Sequence, residues 1–109
     1  MLLAWEEMRV FKVEYKGRGY GHPEIIAENF ADMLRAFDFK VVPDWKVDHG
    51  TLGDIRFSME QYCRSKGCDL VVLMIKEIPY YFAIKDELRY KDRLRDVLSF
   101  TLVDVFEEV

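Results

Sequence analysis

Asp69-Leu-Val-Val-Leu-Met-Ile-Lys-Glu-Ile-Pro-Tyr-Tyr-Phe-Ala-Ile-Lys85 is the stretch whose reading decides the fold. Leu70 to Ile75 is an unbroken apolar run, the pattern of a strand covered on both faces by helices rather than half-exposed to water. Lys76 and Pro79 interrupt it, and the spacing of Tyr81, Ile84, Leu88, Leu94 and Leu98 predicts a helix from about Tyr80 to Leu98. In such a helix Tyr81 and Lys85, four residues apart, share one face of the first turns. An aromatic plane and a cation then stand together at a strand-to-helix mouth, where a base can stack and a phosphate can be reached.

Outward from this segment the same two periods alternate. Val10-Phe-Lys-Val-Glu-Tyr15 alternates apolar and charged residues and predicts a strand, with Leu2–Trp5 as an extension or lead-in. From Pro23 the residues Ile25, Ile26, Phe30, Met33, Leu34 and Phe37 recur at helical spacing, behind a first-turn proline and Glu24. Phe39-Lys-Val-Val42 predicts a short strand stopped by Pro43, and Asp44–Gly53 a polar loop. Leu52, Ile55, Met59, Tyr62 and Cys63 trace a second helix that closes at Lys66-Gly67. Phe100–Phe106 predicts a last strand. The expected order is β-α-β-α-β-α-β: an α/β, Rossmann-like, mostly parallel sheet of about four strands flanked by three helices, in a single domain spanning residues 1–109.

Composition narrows the function. The chain has 109 residues, 50% of them hydrophobic, enough for one core without disulfide staples. With 16 basic and 20 acidic residues and a net charge of −4, it lacks the broad positive field that non-specific duplex binding requires, while a pocket for one phosphate is compatible with that balance. No apolar run approaches the ~18 residues of a membrane span and no secretory leader pattern opens the chain, so the expectation is a cytoplasmic or other intracellular location with no membrane partner. Cys63 and Cys68 read as reduced, structural thiols, and with His22 and His49 they match no metal spacing.

Three places could carry chemistry. Gly17-Arg-Gly-Tyr-Gly-His22-Pro follows a strand and precedes a helix, as phosphate-cradling loops do, yet it lacks the dinucleotide fingerprint and Pro23 removes an amide donor, which leaves a plain turn as the alternative. His22, His49 and the carboxylates Asp44, Asp48, Asp86 and Glu87 have no nucleophile or acid–base partner placed for them, so no catalytic residue and no cofactor are implied. Lys85, Arg89, Lys91, Arg93 and Arg95 interleave with Asp86, Glu87, Asp92 and Asp96 as a salt-bridged face would.

The strand Asp69-Leu-Val-Val-Leu-Met-Ile and the following Pro79-Tyr-Tyr-Phe-Ala-Ile-Lys85 resemble the MID domain of the Argonaute and Piwi proteins, in which an apolar strand leads through a specificity loop into a P-x-Y-x-x-x-K motif. Trp5 and the helix stretch Asn29-Phe-Ala-Asp-Met-Leu34 are similar to further family positions. The resemblance implies a module that captures the 5′-phosphorylated end of a single-stranded guide RNA or DNA, with Tyr81 stacking on the first base and Lys85 binding its phosphate. Lys76–Tyr80 would form the specificity loop, with Lys76 and Tyr80 beside the nucleotide, and the remaining Argonaute domains or another protein would be partners. Where the family commonly has a glutamine on the strand after the helix, this chain has Ser99, Phe100 and Thr101, so that the Thr101 hydroxyl is the donor left; a further family lysine would fall beyond Val109. The alternative is a small standalone α/β protein acting by self-association or by binding a protein partner, without nucleotide.

Overall fold

A computed structural model describes residues 8–17, 22–43, 52–88, 93–101 and 104–108. In chain order these form β1 (Val10–Glu14), α1 (Pro23–Ala36), β2 (Phe39–Pro43), α2 (Leu52–Lys66), β3 (Asp69–Ile75), β4 (Ile78–Asp86), α3 (Arg93–Thr101) and β5 (Asp104–Glu108). The class is α/β as expected, but the sheet is mixed and has five strands in the order β2-β4-β3-β1-β5. Among the described strands only β1 and β3 are parallel neighbours; β2–β4, β3–β4 and β1–β5 are antiparallel.

The largest correction falls on the segment that opened the sequence analysis. Residues 78–86 form a strand, not the start of a helix, and β4 folds straight back on β3 with Met74 opposite Pro79 and Ile75 opposite Ile78. A two-residue turn, Lys76-Glu77, makes the reversal, and both residues have positive φ, 50° and 68°. That is the backbone of a type I′ hairpin turn, whose twist matches the strands it joins. Tyr80-Tyr81-Phe82-Ala83-Ile84 is rich in aromatic and β-branched residues, which favour a pleated surface, and burial on both faces rewards it: Tyr81, Phe82, Ala83 and Ile84 are all buried. Pro79 is tolerated inside β4 because β2 pairs with residues 82–86, and among the described residues no strand lies on the other side of Pro79.

The second correction concerns the chain's last elements. The helix after the hairpin begins at Arg93 and still includes Phe100 and Thr101; the final strand starts only at Asp104. β1, α1, β2, α2 and β3 lie close to where they are expected, while the Leu2–Trp5 stretch and residues 44–51 of the expected Asp44–Gly53 loop lie outside the described residues. α1 starts at Pro23 behind an extended His22 (ψ 144°), which fits proline's fixed φ at a helix start. α2 ends in a Schellman closure, with Gly67 at φ 71° and the Cys68 amide donating to the Cys63 carbonyl at 2.9 Å.

Strand alternation sends successive side chains to opposite faces. Phe11, Val13, Val71, Leu73, Ile75, Phe82 and Ile84 meet α1 and α3, with Phe30 and Phe82 tilted at 60° and 5.0 Å between ring centres. Leu70, Val72, Tyr81 and Ala83 meet Met59 and Cys63 of α2 on the other face. The β1–α1–β2 and β2–α2–β3 crossovers run in opposite directions across the sheet and lie on opposite faces, so both have the same hand. Arg93 locks α3 into place: its guanidinium forks onto Asp86 at the end of β4, donates to the Phe37 carbonyl at 2.6 Å and lies 4.1 Å over the Phe39 ring.

The hairpin turn carries a testable cost. A non-glycine residue in the left-handed region costs about 1 kcal/mol or more, so Glu77→Gly is expected to stabilise the protein by about 1 kcal/mol in urea denaturation. A destabilised Glu77→Gly variant would show that residue 77 does not adopt this conformation.

Candidate functional site

The carboxyl ends of β1 and β3 point to one edge of the sheet, the place where open α/β folds collect ligands. There the chain builds a cleft of about 240 Å³ between α1 and α3, lined by Tyr15, Ile26, Asn29, Phe30, Met33, Leu73 and Thr101. Each lining residue has a reason to be there. Tyr15 directly follows β1 and prolongs its pairing, its amide donating to the Met74 carbonyl at 2.9 Å. Its phenol lies over Gly17, where any side chain would collide with the ring. Ile26, Asn29 and Met33 recur at three- and four-residue spacing and so form one stripe along α1. Thr101 ends α3; its hydroxyl donates to the Val97 carbonyl at 2.9 Å, which leaves its oxygen to accept.

The cleft is therefore mainly hydrocarbon and aromatic, with the Tyr15 hydroxyl, the Asn29 amide and the Thr101 oxygen as its polar groups. Asn29 makes no hydrogen bond among the described residues and is exposed. Next in sequence to the lining residues Ile26 and Thr101, Ile25 is 52% and Phe100 87% exposed. Large apolar side chains so exposed on the helices that form an apolar cleft mark a contact surface more readily than a solvated one.

The residues singled out from the sequence are divided between the two faces. Tyr80 stands opposite Leu73 and packs against the α1/α3 core, on the same side as Thr101. Tyr81 points the other way, into the core beneath α2, and is 6% exposed. Lys85 shares Tyr81's face, but on a strand four residues span roughly 13 Å at 3.3 Å each, not one helical turn. Lys76 sits in the hairpin turn and is exposed. Residues 76–80 thus form a tight reversal followed by strand, rather than the long loop into a helix that the sequence suggests.

Lys85 has distinctive surroundings. It is half-buried, lies directly across from Lys40 and makes no ion pair among the described residues, whereas Lys40 is paired with Glu87 at 3.1 Å. Cys68 lies close enough for Lys85 to favour its thiolate, although burial dominates and pushes the Cys68 thiol up. The Cys63 thiol is pushed up to about 12, first by burial and then by nearby Cys68 and Asp69. Both thiols are free. A thiol held neutral is a poor nucleophile, so this pair is packing material at neutral pH.

Tyr15, Ile26, Asn29 and Met33 had been legible only as strand and helix residues; the signal that unites them is the α1 stripe lying beside the end of β1. Gly19, Gly21, His49, Trp5, Arg89 and Lys91 lie outside the described residues. Among the described residues no cluster of three or more His, Cys, Asp or Glu side chains is placed to hold a metal ion, and no helix is long and apolar enough to cross a membrane. No protein-family model, curated protein or solved structure matches this chain.

The thiol environment gives a direct check. At pH 8, Cys63 and Cys68 are expected to react with a thiol reagent only as fast as the fold opens, and at once in urea. Because folding raises both thiols, their contribution to stability is complete below the ordinary thiol value and fades as pH climbs past it. Rapid labelling of native protein would contradict this burial.

Proposed function

We propose that this protein is a non-catalytic binding module that acts through protein contacts, seating an apolar side chain of a protein partner in the α1–α3 cleft. The observation that carries this reading is the apolar cleft together with exposed Ile25 and Phe100, each next in sequence to a residue that lines it. Apolar area of this kind contributes about 25 cal/mol per Å² when covered, and the Asn29 amide and Thr101 oxygen supply the polar contacts that orient what enters. Replacing Ile25 and Phe100 with serine leaves the core untouched, so the double variant is expected to keep its fold. Affinity capture should then retain a protein on the wild type and lose it on the variant. Equal capture by both would end this reading.

A second reading, capture of a 5′-phosphorylated nucleic-acid end as in Argonaute MID domains, is favoured by one observation: Lys85, a half-buried cation without an ion pair among the described residues, faces Lys40. Lys40 already holds Glu87 at 3.1 Å, which leaves Lys85 as the cation that attracts an anion. The role of Tyr81 differs from the family pattern, because a ring under α2 cannot stack on a base unless α2 moves; Lys85 would bind phosphate without it. Titration with a nucleoside monophosphate is expected to shift Lys85 and Lys40 resonances, and Lys85→Ala to weaken binding by about 1–3 kcal/mol. Unmoved signals at millimolar nucleotide would remove this reading.

A further inference from the structure

The two helices that form the cleft present their charges unequally. The cations of α1 and α3 are Arg35, Arg93 and Arg95, and each is already held by a carboxylate: Arg35 by Asp32 at 3.1 Å, Arg93 by Asp86 at 2.9 Å, and Arg95 by Glu107. The remaining acids of the same helices, Glu24 and Glu28 on α1 and Asp96 on α3, are exposed and make no ion pair among the described residues. Lys16, next in sequence to the lining residue Tyr15, does not restore the balance, because it is shared between Glu14 at 3.4 Å and Asp104 at 3.6 Å. Lys76 in the hairpin turn is followed at once by Glu77, which is also exposed. The cleft thus opens between helices whose free charge is negative.

Helix geometry sets these acids beside apolar groups, since residues three or four apart are neighbours on a helix surface. Asn29, which lines the cleft, has Ile25 four residues before it and Asp32 three after. Glu28 follows Ile25 by three, and Asp96 precedes Phe100 by four. On both helices, therefore, an exposed apolar side chain stands one turn from a free carboxylate. Glu24 and Asp96 lie in first turns, where a carboxylate complements the helix dipole. Glu28 lies beyond that turn and has no such role.

We propose that the partner segment seated in the cleft is basic, with one large apolar anchor flanked by Lys or Arg whose cations meet Glu28 and Asp96. An acidic segment, a nucleic-acid backbone or an anionic membrane surface would bring like charge to unmatched carboxylates, so complementarity selects a cationic peptide. The Asn29 and Thr101 oxygens suit the same partner: they accept hydrogen bonds, and lysine and arginine side chains only donate them. This inference rests on the reading of the cleft as a protein-binding site and adds the chemistry of the partner to it.

The test offers the full chain a library of bead-displayed peptides of random sequence. Retained peptides are expected to share one large apolar residue with Lys or Arg enriched beside it. For such a peptide, Glu28→Lys combined with Asp96→Lys is expected to weaken binding about tenfold at low salt with unchanged circular dichroism, and the difference to shrink as salt screens the charges. Retained peptides with an apolar residue but no basic excess, or a charge-reversed variant that binds as tightly as the wild type, would overturn the basic partner and leave the cleft reading standing. Peptides bound equally by the wild type and by the Ile25→Ser, Phe100→Ser double variant, or no retained peptide at all, would overturn both.

Discussion

The reversal at Lys76-Glu77 is the constraint on which the rest of the structure depends. Two residues allow the chain no choice but to pair β4 with β3, and β4 then occupies the position beside β3 that a parallel β2 would otherwise take. β2 is displaced to the edge, and α1 must cross over both β3 and β4 to reach it. That long crossing spreads α1 over one face with α3, while α2 covers the other. The cleft exists because α1 passes the ends of β1 and β3 on this path and α3 returns beside it.

The same reversal decides which side chains can meet. On a helix, Tyr81 and Lys85 would form one patch; on β4 they are separated along the sheet, and Tyr81 and Tyr80 belong to opposite faces. Tyr81 contributes to packing against α2 instead of to an open surface. Burying a tyrosine of this size is worth more to the fold than displaying it. Lys85 keeps its amphipathic character, with its stem on the sheet and its charge beside Cys68 and Lys40.

Much of the fold was legible because several independent signals agreed. α1 combined a 3.6-residue apolar period with Pro23 at its start; α2 ended in Lys66-Gly67; β3 was apolar on both faces. β4 was not legible for three physical reasons. Tyr81, Ile84 and Leu88 satisfy a helical period, although Tyr81 and Ile84 lie on opposite faces of β4 and Leu88 comes after it. Pro79 looks like an interruption, whereas it sits where β4 lacks a second neighbour. The turn lacks the Asn-Gly pair that normally announces a type I′ hairpin, and Lys76-Glu77 adopts that backbone despite its side chains. Of the site residues foreseen, Tyr80 and Thr101 share the cleft's face of the sheet, and Thr101 lines the cleft itself. Tyr15 and Asn29 escaped notice because nothing local relates the end of a strand to a helix face more than ten residues later.

The account therefore stands on residues 78–86 forming a strand against β3. Nuclear Overhauser spectroscopy of the folded chain measures this directly. The structure predicts cross-strand backbone contacts linking Val72 with Tyr81 and Leu70 with Ala83, together with the large amide couplings of extended backbone from Tyr80 to Ile84. Sequential amide–amide contacts and i-to-i+3 contacts running through Tyr81 to Leu88 would mean a helix, and would contradict the sheet order, the burial of Tyr81 and the path of α1 that creates the cleft.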